Sequence, residues 1–201
     1  MSFKFLLRRV SEKVSPGRSP SYSEAQVLRA LELSSGKGIG RASLGARLGI
    51  GEGVVRTLTR HLVIEGLVEI SSQGITISKK GQRLLTEIHS LIPKGAEVPA
   101  TNDVLGEHSY AVLVKGVAEK VRFGVEQRDA ALLAGAMGAT TIVFKGRSAV
   151  MPGMDREPSP SLFSFLFEGM RPTEGDVVIL GTGDTLMKAQ IGAYSAALTL
   201  V

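Results

Sequence analysis

The stretch that decides the fold runs from residue 49 to residue 81. It reads Gly49-Ile-Gly-Glu-Gly-Val-Val-Arg-Thr-Leu-Thr-Arg-His-Leu-Val-Ile-Glu-Gly66, then Leu67-Val-Glu-Ile-Ser-Ser-Gln-Gly-Ile-Thr-Ile-Ser-Lys-Lys-Gly81. The first half predicts a helix ended by Gly66, because glycine is the preferred residue just past a helix. Its buried stripe is Val55, Leu58 and Leu62, which recur at helical spacing. The second half predicts a hairpin of two alternating runs, 67–71 and 75–78.

The flanking sequence predicts three more helices around this stretch. They cover residues 23–33 with Ser23 as N-cap, residues 42–48, and residues 79–92 with Ser78 as N-cap. A short strand at 39–41 is expected beside the hairpin. This order of helices, glycine-ended helix and hairpin, over residues 21–92, resembles a winged helix-turn-helix DNA-binding domain. The run Ile75-Thr-Ile-Ser-Lys-Lys-Gly-Gln-Arg-Leu-Leu resembles the segment that closes the wing in archaeal and bacterial repressors, whose last helix often serves dimerisation.

The resemblance implies double-stranded DNA as a partner and assigns roles to exposed polar residues. The residues expected to face the major groove are Glu52, Gly53, Arg56, Thr57, Arg60 and His61. Arginine offers guanine a pair of donors, and phosphate contacts set affinity and register. The expected phosphate contacts are Arg41, Ser43, Arg47, Lys79 and Lys80, with Gln73 at the hairpin tip. A solvated polar face, or a winged helix that binds protein, remains the alternative.

The charge of the chain is divided unevenly between its halves. Residues 1–94 carry 15 Lys and Arg against 7 Asp and Glu, a net of +8. Residues 95–201 carry 9 against 12, a net of −3, and the two halves together give +5. A basic amino-terminal half favours a polyanionic partner. Residues 1–20 are expected to form a flexible basic arm.

Composition excludes several classes of protein. The chain has no cysteine and only three histidines, so neither a disulfide framework nor a metal site is expected. We expect no cofactor. The apolar part of the first residues is too short for a signal peptide or a membrane span, so a cytoplasmic protein is the expectation.

After a linker expected at residues 93–103, the pattern changes to alternating strands and helices. Strands are predicted at 109–114, 140–145, 148–151 and 176–181, and helices at 125–135, 159–170 and 184–198. The overall fold class is therefore α+β, with a small α/β-type domain at 104–201 that has a mixed sheet. The runs Gly124-Val-Glu-Gln-Arg-Asp-Ala-Ala, Ala139-Thr-Thr-Ile-Val-Phe-Lys and Gly175-Asp-Val-Val-Ile-Leu-Gly resemble the uncharacterised carboxyl-terminal domain of a group of archaeal winged-helix proteins.

Two helix starts in this domain are candidate ligand sites. The turn Gly181-Thr-Gly-Asp184 lacks the lysine of a phosphate-binding loop, and a tight turn with Asp184 as N-cap competes with anion binding. Thr182, Gly183 and Asp184 are nevertheless candidates. The residues Glu126, Arg128 and Asp129 on the first turns of the helix at 125–135 are suited equally to a polar effector or to an internal ion-pair network. The loop at 151–160 is suited equally to covering a pocket or to forming plain surface.

The function that fits these observations is a homodimeric DNA-binding transcriptional regulator, with residues 104–201 binding a small effector or mediating dimerisation. A protein-interaction scaffold is the second hypothesis. An enzyme tethered to DNA is the third, but the sequence offers no pairing of nucleophile and base, and we expect no catalytic residues.

Overall fold

The computed structural model describes residues 3–12, 21–100, 103, 106–154 and 156–201. Its residues divide into two compact units, 1–89 and 90–201. The first unit is mainly helical and the second is built on a sheet, so the predicted α+β class is confirmed. None of the described helices is long and apolar enough to cross a membrane.

In the part of the first unit that the structure describes there are five helices and one hairpin. The helices are α1 Phe3–Ser11, α2 Glu24–Ser34, α3 Arg41–Leu48, α4 Glu52–Ile64 and α5 Lys79–Leu91, and the strands are β1 Val68–Ser71 and β2 Gly74–Ile77. Ser23 and Gln26 form a reciprocal capping box at the start of α2. Ser78 accepts the Gly81 amide at the start of α5. The element order therefore agrees with the winged-helix prediction.

The amino-terminal segment differs from the predicted flexible arm. Residues 3–11 form a helix whose Phe3, Leu6, Leu7 and Val10 are buried. These four residues recur at a helical spacing, so α1 hides one apolar face in the first unit while Arg8 and Arg9 stay outside. The remainder of the predicted arm, 13–20, lies outside the described residues. The arm prediction is therefore wrong for residues 3–11.

The hairpin is joined to the helices by backbone hydrogen bonds. Ile39 pairs with Ile75 through reciprocal bonds of 3.0 and 2.9 Å, which adds a short third segment beside β2. Gly74 has φ +106°, and a Cβ there would lie 2.7 Å from the Ile39 carbonyl oxygen. Glycine is thus required at this crossing, because any side chain would collide with backbone. The wing is held at a fixed position on the helical body.

A buried carboxylate connects α2 to α5. Glu32 pairs with Arg29, and His89 Nε2 lies 2.9 Å from Glu32 Oε1. Burial alone would raise the pKa of this carboxyl, but the hydrogen bonds from His89 and Arg29 and the charge of Arg29 bring the net pKa below its usual value. A carboxyl whose pKa is lower in the folded state stabilises the fold above its unfolded pKa.

The Glu32→Gln variant is therefore expected to lower stability near neutral pH by about 1–3 kcal/mol, because a charged acceptor is lost. The difference from wild type should begin to shrink as pH falls through the ordinary pKa of an unpaired glutamate, about 4.3, and should vanish only below the lower pKa of Glu32 in the folded protein. Thermal unfolding of both proteins between pH 3 and 7 measures this. A difference in Tm that does not change with pH would contradict the assigned charge of Glu32.

The second unit is a five-stranded sheet with three long helices. The strands are β3 Ala96–Val98, β4 His108–Val114, β5 Gly138–Lys145, β6 Ser148–Val150 and β7 Val177–Gly183, in the order β3-β4-β7-β5-β6. The helices are α6 Val125–Leu133, α7 Pro160–Met170 and α8 Leu186–Leu198, with a short 3-10 turn at Ala118–Lys120.

The sheet is antiparallel at every pairing, so the predicted mixed sheet is wrong. Because β4 and β5 are both antiparallel to β7, they are parallel to each other, and α6 connects them as a crossover. The predicted order of strand, helix and strand is present as β4, α6 and β5, but β7 inserts between the two parallel strands. An insertion of this kind depends on long-range pairing, which local sequence patterns do not encode.

The sheet is covered on both faces. Val178 and Leu180 of β7 point to the face where Leu162 and Leu166 of α7 pack. The opposite face carries α8, and there Gly181 lies so close that an added Cβ would be 2.4 Å from the Ala189 carbonyl oxygen. Phe163 and Phe167 of α7 stack in a row with Phe144 of β5, with ring centroids 6.0 Å apart for Phe144–Phe163 and 5.4 Å for Phe163–Phe167. The second unit is thus a three-layer sandwich with its own core.

The linker predicted at residues 93–103 is wrong for Ala96–Val98. These residues form the edge strand β3, paired with Ser109–Ala111 of β4. Only Val98 of the three is buried, so a strand of this length has no clear alternating pattern. Residues 101 and 102 of the predicted linker lie outside the described residues.

Candidate nucleic-acid interface

The helix pair α3–α4 positions the candidate reading surface. The turn between the two helices uses Gly49 at φ +65°, a left-handed conformation that favours glycine. At Gly45 an added Cβ would lie 2.9 Å from the Ile50 carbonyl oxygen and 3.0 Å from Val55 Cγ2. The small residue at position 45 therefore lets α3 and α4 cross closely, a feature that the sequence analysis missed.

Helix α4 buries one side and exposes the other. Val55, Leu58 and Leu62 are fully buried, as predicted. The residues on the outer side are exposed, namely Glu52, Gly53, Arg56 and Arg60. Thr57 is half-buried, and its hydroxyl donates to the Gly53 carbonyl at 3.1 Å within the same helix. Two guanidinium groups one turn apart are thus accessible to a polyanion.

His61 does not belong to this exposed row, and its prediction as a groove-facing residue is wrong. Its side chain is buried, with Nδ1 2.6 Å from the Tyr22 hydroxyl and 3.1 Å from the Val10 carbonyl oxygen. The Tyr22 hydroxyl donates to the same carbonyl at 3.0 Å. Burial raises the pKa of Tyr22 to about 12, against a smaller lowering by Arg60, so the tyrosine remains a neutral donor. This polar cluster joins α4 to the end of α1.

Glu52 interacts with Arg56 on the exposed surface. Arg56 Nη2 lies 3.1 Å from Glu52 Oε1, one helical turn away, and both side chains are more than two-thirds exposed. The pair gives the acidic residue in the arginine row a definite partner. Because an exposed ion pair is weak, a phosphate or a base edge can compete for the guanidinium.

Glu52→Gln is expected to tighten DNA binding by about 2- to 5-fold at low salt, because an exposed ion pair of ~0.2–1 kcal/mol no longer competes with DNA. The plot of log affinity against log salt concentration should also steepen if Arg56 gains a phosphate. Fluorescence anisotropy with a labelled duplex measures both effects. Glu119→Gln, which removes an exposed carboxylate from the second unit, is the matched control. Weaker binding by Glu52→Gln would instead favour a direct base contact by the carboxylate.

The residues proposed to contact phosphates lie in three places. Arg41, Ser43 and Arg47 are exposed on α3, Gln73 is exposed at the hairpin tip, and Lys79 is exposed at the start of α5. A groove between α3 and α4 is lined by Arg41 and Arg56 together with the small residues Ala42 and Ala46. Lys80 differs from the others, because its ammonium donates to the Glu65 carbonyl at 2.6 Å and so closes the end of α4.

The candidate ligand residues of the second unit do not converge on one site. Thr182 and Gly183 belong to β7, where Thr182 is flanked by Ser109 of β4 and Gly138 of β5. The backbone of Thr182 is occupied by strand pairing on both sides and Gly183 pairs with His108 of β4, which contradicts an open anion cradle at these two residues. Asp184 is not the N-cap either: the Thr185 hydroxyl accepts the Lys188 amide at 3.3 Å. Asp184 is exposed and pairs with Lys188 at 2.6 Å.

Helix α6 presents Glu126, Arg128 and Asp129 to solvent. The Arg128 guanidinium donates to Asp129 Oδ1 at 3.1 and 3.2 Å, which fits the ion-pair alternative. A cavity of about 130 Å³ lies beside Arg128 at the start of α6. The other residues that line the cavity are mostly apolar. They are Phe123, Val125 and Ala139, together with Met151, Gly153 and Met154 of the loop before α7. Among the three candidates of α6, Arg128 lines this cavity.

Among the residues that the structure describes, no group of three or more histidines and carboxylates is placed to hold a metal ion.

Comparisons with known proteins match two separate parts of the chain, which correspond approximately to its two units. Residues 24–92 match the model of the CggR N-terminal DNA binding domain. Residues 105–200 match a domain of unknown function, DUF4443. No protein in the curated set matches the chain. The solved structure of hypothetical protein PH0730 from Pyrococcus horikoshii OT3 is similar, with a TM-score of 0.70 and 27% identity over 90% of this chain and 93% of that one. The chain therefore fits a helix-turn-helix regulator, with a DNA-binding domain at its amino-terminal end and an uncharacterised carboxyl-terminal domain.

Proposed function

We propose that this protein is a transcriptional regulator that binds a specific DNA sequence as a homodimer. The observation that carries the proposal is the exposed pair Arg56 and Arg60 on α4, in a segment that matches a DNA-binding domain. In this proposal α4 enters the major groove and its arginines bind guanine edges. Residues on α3, the hairpin tip and the start of α5 bind the flanking phosphates.

The distribution of charge supports DNA binding by the first unit. The half of the chain that contains α3 and α4 is basic, whereas the other half is mildly acidic. A polyanion is therefore attracted to the first unit more than to the second. Two copies related by a two-fold axis would present two α4 helices to a palindromic site.

Selection of bound duplexes from a random DNA pool tests the proposal directly. The full chain is expected to enrich one short motif, arranged as two inverted half-sites about one helical turn apart. Binding to the enriched duplex should weaken steeply with salt, since each neutralised phosphate contributes a slope of about −0.9 in the log–log plot. Recovery of an unenriched pool would contradict sequence-specific recognition.

The same selection separates the regulator from a winged helix that binds only protein. A winged helix that binds only protein should retain no duplex at any salt concentration. An enzyme tethered to DNA would retain duplexes, so this third possibility requires a separate assay of substrate turnover. The exposed arginines of α4 favour the regulator over a winged helix that binds only protein, because they suit a polyanionic partner.

We also propose that the second unit binds a small effector in the cavity beside Arg128. The support is a concave site of about 130 Å³ with apolar walls and one cation at its edge. An effector would act by binding one arrangement of the dimer better than another. Repeating the DNA selection with a metabolite extract, on wild type and on Gly153→Leu, tests this site.

A further inference from the structure

We infer that two copies of this chain associate through helix α6, packed antiparallel around a two-fold axis between Arg128 and Asp129. The inference rests on the homodimer of the proposed function and adds a surface and a register to it. Its test requires no DNA, so its failure would be distinct from a failure of DNA recognition.

Helix α6 exposes an unusual number of apolar residues. Val125 is 42% exposed, Leu132 47% and Leu133 90%, although α6 packs on the sheet through its other side. Gln127 and Ala131 occupy that other side and are buried. The exposed apolar surface extends past both ends of the helix through Phe123 and Met137. Several exposed apolar residues close together in the chain mark a candidate interaction site.

Two opposite charges lie within this apolar surface. Seven residues are almost two helical turns, so Val125 and Leu132 lie nearly in line. Arg128 and Asp129 lie between them, one on each side of that line. Both charged side chains are about half exposed and currently pair with each other. Opposite charges at the centre of an apolar stripe favour a second copy of the helix that runs antiparallel, because its charges then lie in the opposite order.

Two-fold symmetry imposes a register on this contact. In an isologous contact, if residue i meets residue j, then residue j meets residue i. An antiparallel pair of α6 helices centred between positions 128 and 129 places Arg128 opposite Asp129 of the second copy. The same register places Val125 opposite Leu132 of the second copy. Apolar residues and charges are thereby matched along the whole contact, and this self-complementarity identifies a second copy as the occupant.

The helix alone is too short to supply a standard interface. Nine residues span about 13.5 Å, whereas a stable interface buries about 800 Å² on each partner. Phe123, Met137 and Met154 extend the surface around α6, and all three are about half exposed or more. Phe123 and Met154 also line the cavity beside Arg128, so an effector bound there would lie at the edge of this interface. The α6 contact sets the register in this arrangement, and the flanking residues add area.

Analytical ultracentrifugation of the full chain without DNA tests the interface. Wild type is expected to sediment as a dimer, and Leu132→Glu is expected to raise the dimer dissociation constant at least about tenfold, because it buries a carboxylate. Ser164→Glu, at an exposed position on α7 across the sheet, is the matched control and should leave the dimer intact. A monomeric wild type, or a Leu132→Glu variant that dimerises normally, would overturn the inference.

Charge exchange tests the register and guards against loss of folding. Arg128→Asp and Asp129→Arg should each weaken the dimer at least about tenfold, since like charges then meet at the axis. The double variant Arg128→Asp/Asp129→Arg restores opposite charges and should recover dimerisation. Failure of the double variant to recover, while its thermal unfolding matches wild type, would contradict the proposed centre.

Cysteine cross-linking provides a second measurement of register, because the natural chain has no cysteine. A mixture of Val125→Cys and Leu132→Cys proteins should form a disulfide-linked dimer under mild oxidation. Each variant alone should not, because two copies of one position are separated by about 10 Å along the helix, beyond the 4.4–6.8 Å of a disulfide. Equal cross-linking by the single variants would exclude the antiparallel register.

Discussion

Arg56→Ala and Arg60→Ala are each expected to weaken binding to the selected DNA motif by about 1–3 kcal/mol, or roughly 5- to 150-fold. The reason is geometric: both guanidinium groups are exposed on α4, whose opposite side is buried and cannot turn toward a groove. Specificity should relax at the base pair that each arginine reads, while binding to unrelated DNA falls less. Anisotropy titrations against the selected duplex and against single-base variants measure both effects.

The control for this experiment is Arg122→Ala, which removes an equivalent exposed charge from the second unit. Its effect on affinity should be small and independent of the base sequence. The arginine variants of α4 should unfold at the wild-type temperature, because neither side chain belongs to the core. If both bind the selected duplex as tightly as wild type, α4 is not the helix that reads DNA.

Leu7→Ala is expected to destabilise the first unit by about 2–5 kcal/mol, because it removes a fully buried side chain and leaves a cavity. The two compact units are expected to unfold in two separate transitions. In urea titrations followed by circular dichroism, the midpoint of one transition should move to a lower urea concentration. Amide hydrogen exchange then locates the change, with faster exchange expected in α2 and α4.

Phe5→Ala is the matched control, since Phe5 lies on the same helix but is half exposed. Its cost should be within about 0.5 kcal/mol, as for most surface substitutions. Equal effects of the two substitutions would mean that α1 is not part of the core. The amino-terminal helix would then be dispensable for the fold.

The sequence predicted the first unit well wherever local signals agree. Ser23, Gly66 and Ser78 mark helix ends by capping chemistry, and the alternating runs around Gln73 mark the hairpin. The same local reading failed at His61, because a polar side chain on a helix is buried when distant groups supply hydrogen bonds. Those groups are Tyr22 and Val10, whose proximity to His61 depends on tertiary packing.

The second unit was predicted less completely for a related reason. The strand and helix positions follow from periodicity, but the insertion of β7 between β4 and β5 is a long-range pairing. The expected ligand turn failed with it, since Thr182 and Gly183 became part of a central strand. The exposed apolar face of α6 also escaped the sequence analysis, because this short helix exposes its two leucines and buries Gln127 and Ala131, so its pattern does not mark the inner face.

The cluster of Tyr22, His61 and the Val10 carbonyl has a practical consequence for any assay of this protein. Through it, the buried side of α4 contacts the last turn of α1, so an attachment that displaces α1 would also disturb α4, the helix that we propose contacts DNA. The other end is also held, with the Leu200 carbonyl accepting the Lys120 ammonium at 2.7 Å. Surface attachment through a cysteine introduced at Arg147, in the exposed turn between β5 and β6, would leave both termini in their native packing.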